Sequence, residues 1–333
     1  MSPRTAAAAF VLMFAAACAS PDARPVVVVG FSSDPQATLS GLVMTSPDGT
    51  DFGAPVGVGE HEWLISVTPR GSGYQAIGLS GGLYDGDDGG AHWTRRPLHD
   101  SWLSALRYVE AAPSIGLASG ADYWWKSTDG GQSWVGRRPP GYYFEDFSFS
   151  DPDHGVGVEA YLVPARGVAW RTTNGGATWS DSLEAARGLR VVARPDPTGP
   201  EIWAAGDDGM VVASTNGAAS WFWVGTPIDY RFPDYTGIDF ASPSEGYMVG
   251  SDGVVRAWKG DAPPPRDRWS YAHAGNYVLQ GVFARGGGEA FACGYVTHTD
   301  TGVVLRTVDG GAHWAEVART PHVFWYGIAG RRR

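Results

Sequence analysis

Helical periodicity is nearly absent from this chain, and cysteine is almost absent, with Cys18 and Cys293 the only two. The first lack argues against a helical architecture. The second excludes a disulfide framework, so packing has to supply the stability. Basic residues are outnumbered 25 to 35, for a net charge of −10, and the positive charge is carried almost wholly by arginine. Phosphate binding needs a dominantly basic surface, so nucleic acid is excluded as a partner class. Paired metal-ligand spacing is missing as well. The eight histidines are scattered singly, with His92 and His313 inside turns, and GDDG (206–209) and DGDDGG (85–90) lack a full calcium-loop pattern. No metal site and no cofactor are expected.

The chain does contain 47 glycines and 15 tryptophans, with 43% hydrophobic residues. That mixture points to a turn-dense, aromatic-packed all-β protein and away from disorder. A length of 333 residues suits one large repeat architecture, and chains of this size bury roughly three quarters of their unfolded surface.

The N-terminus reads MSPRTAAAAFVLMFAAAC, one arginine followed by an apolar run from Ala6 to Ala17. The run falls short of the ~20 residues a permanent span needs, and it reads as a signal peptide over 1–18. Ala15, Ala16, Ala17 and Cys18 resemble the bacterial lipobox, with Ala15 where the pattern favours leucine. The resemblance implies lipidation of Cys18 and an exported protein, anchored at the periplasmic face of a membrane or at the cell surface. Residues 19–25 form a short linker, and Arg331, Arg332 and Arg333 read as a basic tail, a disordered end and not a binding device. Cys293, within EAFACGY, reads as a small buried hydrophobe.

Self-similarity dominates what remains. GDDGGAHW ends at Trp93, STDGGQSW at Trp134, TTNGGATW at Trp179, STNGAASW at Trp221 and TVDGGAHW at Trp314. A shortened copy with Asp48 ends at Phe52, and a worn one ends at Trp269. The steps between these aromatics are 41, 41, 45, 42, 48 and 45 residues, each the length of one four-stranded propeller blade. Seven motifs predict a seven-bladed, all-β propeller over residues 26–330. Asp48, Asp88, Asp129, Asn174, Asn216 and Asp309 suit tight hairpins by accepting turn N–H groups, and the following glycines tolerate positive φ. The tryptophans are expected to wedge between blades.

These motifs resemble the Asp-box, or BNR, repeat family, whose members include sialidases, glucan hydrolases, sortilin-type receptors and photosystem II stability and assembly factors. TGIDFASPSEGYMVGSDGVV and GVVLRTVDGGAHW carry the strongest likeness, to the assembly factors. The resemblance implies a structural Asp-box and an extracytoplasmic propeller that docks on a protein client, such as a membrane protein under assembly. Only two strands precede Asp48, whereas HVFWYGIAG follows the last motif. The C-terminal segment is therefore expected to complete the first blade.

Strand alternation puts the inter-blade loops on the face opposite the Asp-box turns. Those loops are rich in arginine, proline and aromatics, a hot-spot mixture. Arg95, Arg96, Arg137, Arg138, Arg231 and Arg319, with Tyr142, Tyr143, Phe232 and Tyr235, are the candidate partner-binding residues, expected to converge near one rim. The rival reading is a sialidase-like or glucan-cleaving glycoside hydrolase, or a glycan-binding propeller. Hydrolysis would need two carboxylates facing across the channel, with Glu145, Asp146, Glu159 and Asp239 available. The weight falls on non-catalytic binding, with no catalytic residue assigned.

Overall fold

The computed structural model describes residues 24–98, 102–141, 143–162, 165–224, 232–258, 260 and 269–333. The signal peptide, Cys18, most of the linker, Tyr142 and Arg231 lie outside the described residues. The fold is a seven-bladed propeller of four-stranded antiparallel sheets.

Blade 2 illustrates how sequence becomes sheet. Its strands Leu64–Arg70, Gly73–Gly78, Gly82–Gly86 and Trp93–Pro97 follow one another from the axis outwards. Short turns make neighbours antiparallel. The second strand, GYQAIG, is buried along its whole length because neighbouring blades cover both its faces. The outermost, WTRRP, is covered mainly along one edge, and its arginines are tolerated there.

The ring closes as the strand count requires. Val323–Gly330 forms the inner strand of blade 1 and pairs with Val26–Ser32, bringing Val28 opposite Ile328; Leu39–Ser46 and Val56–Glu60 complete the sheet. One blade therefore joins the two ends of the chain and leaves no unpaired inner edge.

Among the described residues the apolar core is divided into seven clusters, each at a seam between adjacent blades. The Asp-box tryptophans pack into these seams. Trp179 of blade 4 meets Trp124 of blade 3 edge-on at 5.8 Å. Trp269, from the worn motif, packs beside Trp203 and Trp258. Cys293 is fully buried between blades 7 and 1 as a free thiol.

The turn chemistry contains a partner that the motif reading passes over, the hydroxyl two positions before the acid. Ser127 Oγ accepts the Gly131 N–H at 2.7 Å and donates to Asp129 at 2.8 Å, while Asp129 accepts the N–H of Gln132 and of Ser133. Thr172 with Asn174, Ser214 with Asn216 and Thr307 with Asp309 repeat the arrangement. Blade 2 departs from it. Gly86 occupies the hydroxyl position, and Asp87, not Asp88, accepts the turn N–H groups of Ala91 and His92.

Candidate binding face and axial channel

Within each blade the alternating strands send the Asp-box turns and the first hairpin turns to one face. The inter-blade connections and second hairpin turns emerge on the other. The inner strands line an axial channel with two compartments that meet at Val67, Arg107, Ile238, Val282 and Ile328.

The compartment on the inter-blade side holds about 550 Å³, with Trp102, Glu145, Asp146, Arg190, Gln280 and Tyr326 in its wall. Its charges are paired across seams. Asp146 of blade 4 meets Arg107 of blade 3 at 2.9 and 3.0 Å, and accepts the N–H of Val192 from blade 5. Burial pushes the Asp146 carboxyl up, against the pull of Arg107. Glu145 accepts from Tyr143 at 3.2 Å and lies 3.4 Å from Arg190, whose guanidinium also clamps Asp207. Burial raises Glu145 and, with Glu145 beside it, lifts the Tyr143 phenol to about 12. Tyr143 also packs edge-on against Trp102 at 4.7 Å.

At the mouth of this side stands an aromatic stack. Trp63, 47% exposed, lies flat on Phe31 at 4.3 Å, and Phe31 contacts Phe324 and Tyr326.

The compartment on the Asp-box side holds about 650 Å³ and is lined by the far ends of all seven inner strands. Arg194, almost fully buried there, donates to the Gly199 carbonyl at 2.7 Å, and burial pushes its guanidinium down to about 10. Arg331 and Arg332, expected to belong to a basic tail, instead line this mouth, while Arg333 stays exposed and pairs with Glu289. Arg332 reaches both Glu110 and Asp239.

The candidate partner-binding residues are distributed around the circumference. Arg95 and Arg96 lie on the outer strand of blade 2. Arg95 is exposed, but Arg96 is tied to Asp85 at 2.6 Å and to the carbonyls of Gly131 and Gln132, in the Asp-box turn of blade 3. Arg137 and Arg138 are exposed where the outer strand of blade 3 ends, over the rings of Trp124 and Tyr123 at 5.8 and 5.4 Å. Arg319, on the outer strand of blade 7, is held at two points by Glu316. Phe232 is half-buried against Gly209. Tyr235 has no exposed surface and belongs to the seam between blades 5 and 6. Blades 1 and 2 separate Arg319 from Arg137 and Arg138, so these residues form separate outer clusters.

Arg107, Arg190 and Arg194 are channel residues that the sequence reading does not single out, and Arg332 is read there only as part of a basic tail. For two of them a signal was present, since Arg107 in LSALRYV and Arg190 in LRVVA interrupt otherwise apolar inner strands. Among the described residues no cluster of three or more histidine, cysteine or acidic side chains is arranged to hold a metal. The acidic turns are engaged by arginines, Asp85 by Arg70 and Arg96, Asp207 by Arg190 and Asp208 by Arg187.

No family model matches the chain. Over 79 residues it is 35% identical to the photosystem II assembly lipoprotein Ycf48 of Synechococcus sp. (strain CC9902); the match covers 23% of this chain and 22% of that protein. The matched region thus spans about a fifth of the relative's length. Among solved structures, the chain is similar to YCF48 bound to D1 peptide, with a TM-score of 0.56, 16% identity and coverage of 81% of this chain and 91% of that one. It is also similar to an ancestral GH74 enzyme, with a TM-score of 0.54, 13% identity and coverage of 79% and 38%. Both structural likenesses speak for the propeller fold, and the 35% identical stretch agrees with the assembly-factor resemblance of the repeats.

Proposed function

We propose that this chain is a non-catalytic, lipid-anchored docking propeller that receives a segment of a protein client on its inter-blade face. The observation that carries the reading is the 35% identical stretch shared with an assembly lipoprotein, alongside a similar fold whose solved structure holds a peptide. A propeller suits the task because its rigid ring presents many loops on one side.

In this reading Cys18 is acylated and the short linker to Pro25 keeps the ring close to the membrane. The client is a protein at or in that membrane, such as one under assembly. Arg95, Arg137, Arg138, Tyr143, Phe232 and Arg319, with Tyr142 and Arg231, supply the outer contacts. Arg96 and Tyr235 serve the fold. Trp63 and the aromatic stack beneath it join the set, since an exposed indole held flat by neighbours loses little freedom on binding.

The reading disfavours hydrolysis on one specific ground. Among the channel carboxylates, Asp146, Glu145, Glu110 and Asp239 each lie against an arginine. An arginine held against a carboxylate favours its charged form and works against the proton donation that glycoside hydrolysis requires.

The test is affinity capture from detergent-solubilised membranes, comparing wild type with an Arg95→Ala, Arg137→Ala, Arg138→Ala variant. A partner retained by wild type and lost by the variant supports docking. Glycan retention without a protein partner would shift the reading to a carbohydrate-binding propeller.

A further inference from the structure

The strongest unassigned feature is the mouth of the channel on the Asp-box face. Beyond the inner strand of blade 1, Arg331 donates to the carbonyls of Gly71 and Gly73 in blade 2, and Arg333 pairs with Glu289 of blade 7 at 2.7 Å. These contacts hold the segment from both sides and aim Arg332 between them. One guanidinium nitrogen of Arg332 donates to Glu110, at the end of the inner strand of blade 3, and the other to Asp239 of blade 6 at 2.6 Å. The Arg332 carbonyl accepts from Arg24 at 2.8 Å.

Blades 3 and 6 are three steps apart, the greatest separation a ring of seven allows. A single planar group that bonds both has to lie across the axis. The two terminal nitrogens of one guanidinium each donate to a different carboxylate, so a single planar, delocalised charge serves both acids at once. Asp239 is held in place for this, because its second oxygen accepts the Ala284 N–H at 2.8 Å.

We infer that Glu110 and Asp239 form a guanidinium-binding site at the Asp-box mouth, filled in cis by Arg332, which stoppers the channel at that end. An arginine-bearing chain or a free guanidinium compound can enter there only when Arg332 leaves. The inference is independent of the client reading, since it concerns the opposite face and a different ligand chemistry.

The experiment is calorimetric titration of agmatine into the full chain. The Arg332→Ala variant should bind agmatine at least tenfold more tightly than wild type, and adding Glu110→Gln with Asp239→Asn to that variant should remove the gain. Arg332→Gln, which keeps a polar side chain of similar reach, guards against a folding defect and should show the same gain. Equal affinity for wild type and both Arg332 variants, or a gain that survives neutralising the two acids, would overturn the site.

Discussion

Arg107 and Asp146 face each other across the seam between blades 3 and 4, joined by two N–H···O contacts of 2.9 and 3.0 Å inside the channel wall. Asp146 is 2% exposed, while Arg107 keeps partial access to the channel. Removing one partner of a fully buried pair costs about 3–5 kcal/mol. With one partner partly solvated the loss should be smaller, about 2 kcal/mol. Arg107→Ala is expected to destabilise by that amount in urea unfolding, and Arg107→Met combined with Asp146→Leu by less than the single change.

Closure by the inner strand of blade 1 gives a sharper test. Trp325 is fully buried in that strand, and large-to-small changes of buried tryptophan cost about 3–5 kcal/mol. Trp325→Ala should therefore lower the melting temperature strongly. Deleting the residues after Thr320 should abolish the cooperative transition in calorimetry, and an unchanged transition would contradict ring closure.

Within one Asp-box turn, two adjacent glycines should respond differently. Gly130 and Gly131 both have positive φ, but a Cβ at Gly130 meets open space whereas one at Gly131 overlaps Tyr108 Oη. A non-glycine residue in the left-handed region costs about 1 kcal/mol or more. Gly130→Ala should cost about that, and Gly131→Ala should add an overpacking penalty of roughly 1–3 kcal/mol. Equal melting temperatures for the two variants would refute the role assigned to Gly131.

The pH dependence of these turns follows from Asp309. Hydrogen bonds from the His313 N–H and ring, with the Thr307 hydroxyl, lower its pKa from 3.8 to about 2. A carboxylate depressed in the folded state contributes stability above its unfolded pKa and loses it as pH falls through the folded value. Asn occupies the same place at Asn174 and Asn216 without titrating. The stability difference between wild type and Asp309→Asn should hold steady above pH 3.8 and shrink as the pH falls to about 2. Acid titration of the two melting curves measures it.

Cys293 should be silent in the native protein. It has no exposed surface, and burial pushes its thiol well above the usual range. A thiol-reactive dye should leave it unlabelled until denaturant is added, and rapid native labelling would contradict the packing described.

Blade number, blade boundaries and ring closure were all legible in the sequence because each follows from local chemistry repeated at a fixed step. The surroundings of the candidate binding residues were less legible. Arg96 and Arg138 sit in similar arginine pairs, yet one bonds the turn of the next blade and the other projects from the end of its strand. Which occurs depends on the neighbouring blade, a contact no short motif encodes. Asp87 was hidden by a local change instead, since its role arises only because Gly86 lacks a hydroxyl. Arg332 reads in the sequence only as part of a basic tail because its partners lie 222 and 93 residues away in the chain.

The proposed docking of a client on the inter-blade face is tested most directly by affinity for the captured partner, compared between variants of the two faces. Arg95→Ala with Arg137→Ala and Arg138→Ala alters the inter-blade loops and outer strands. His92→Ala with His313→Ala alters two exposed Asp-box turns on the other face. At least a tenfold weakening is expected from the arginine variant and wild-type affinity from the histidine variant. Equal weakening by both, or weakening by the histidine variant alone, would contradict it.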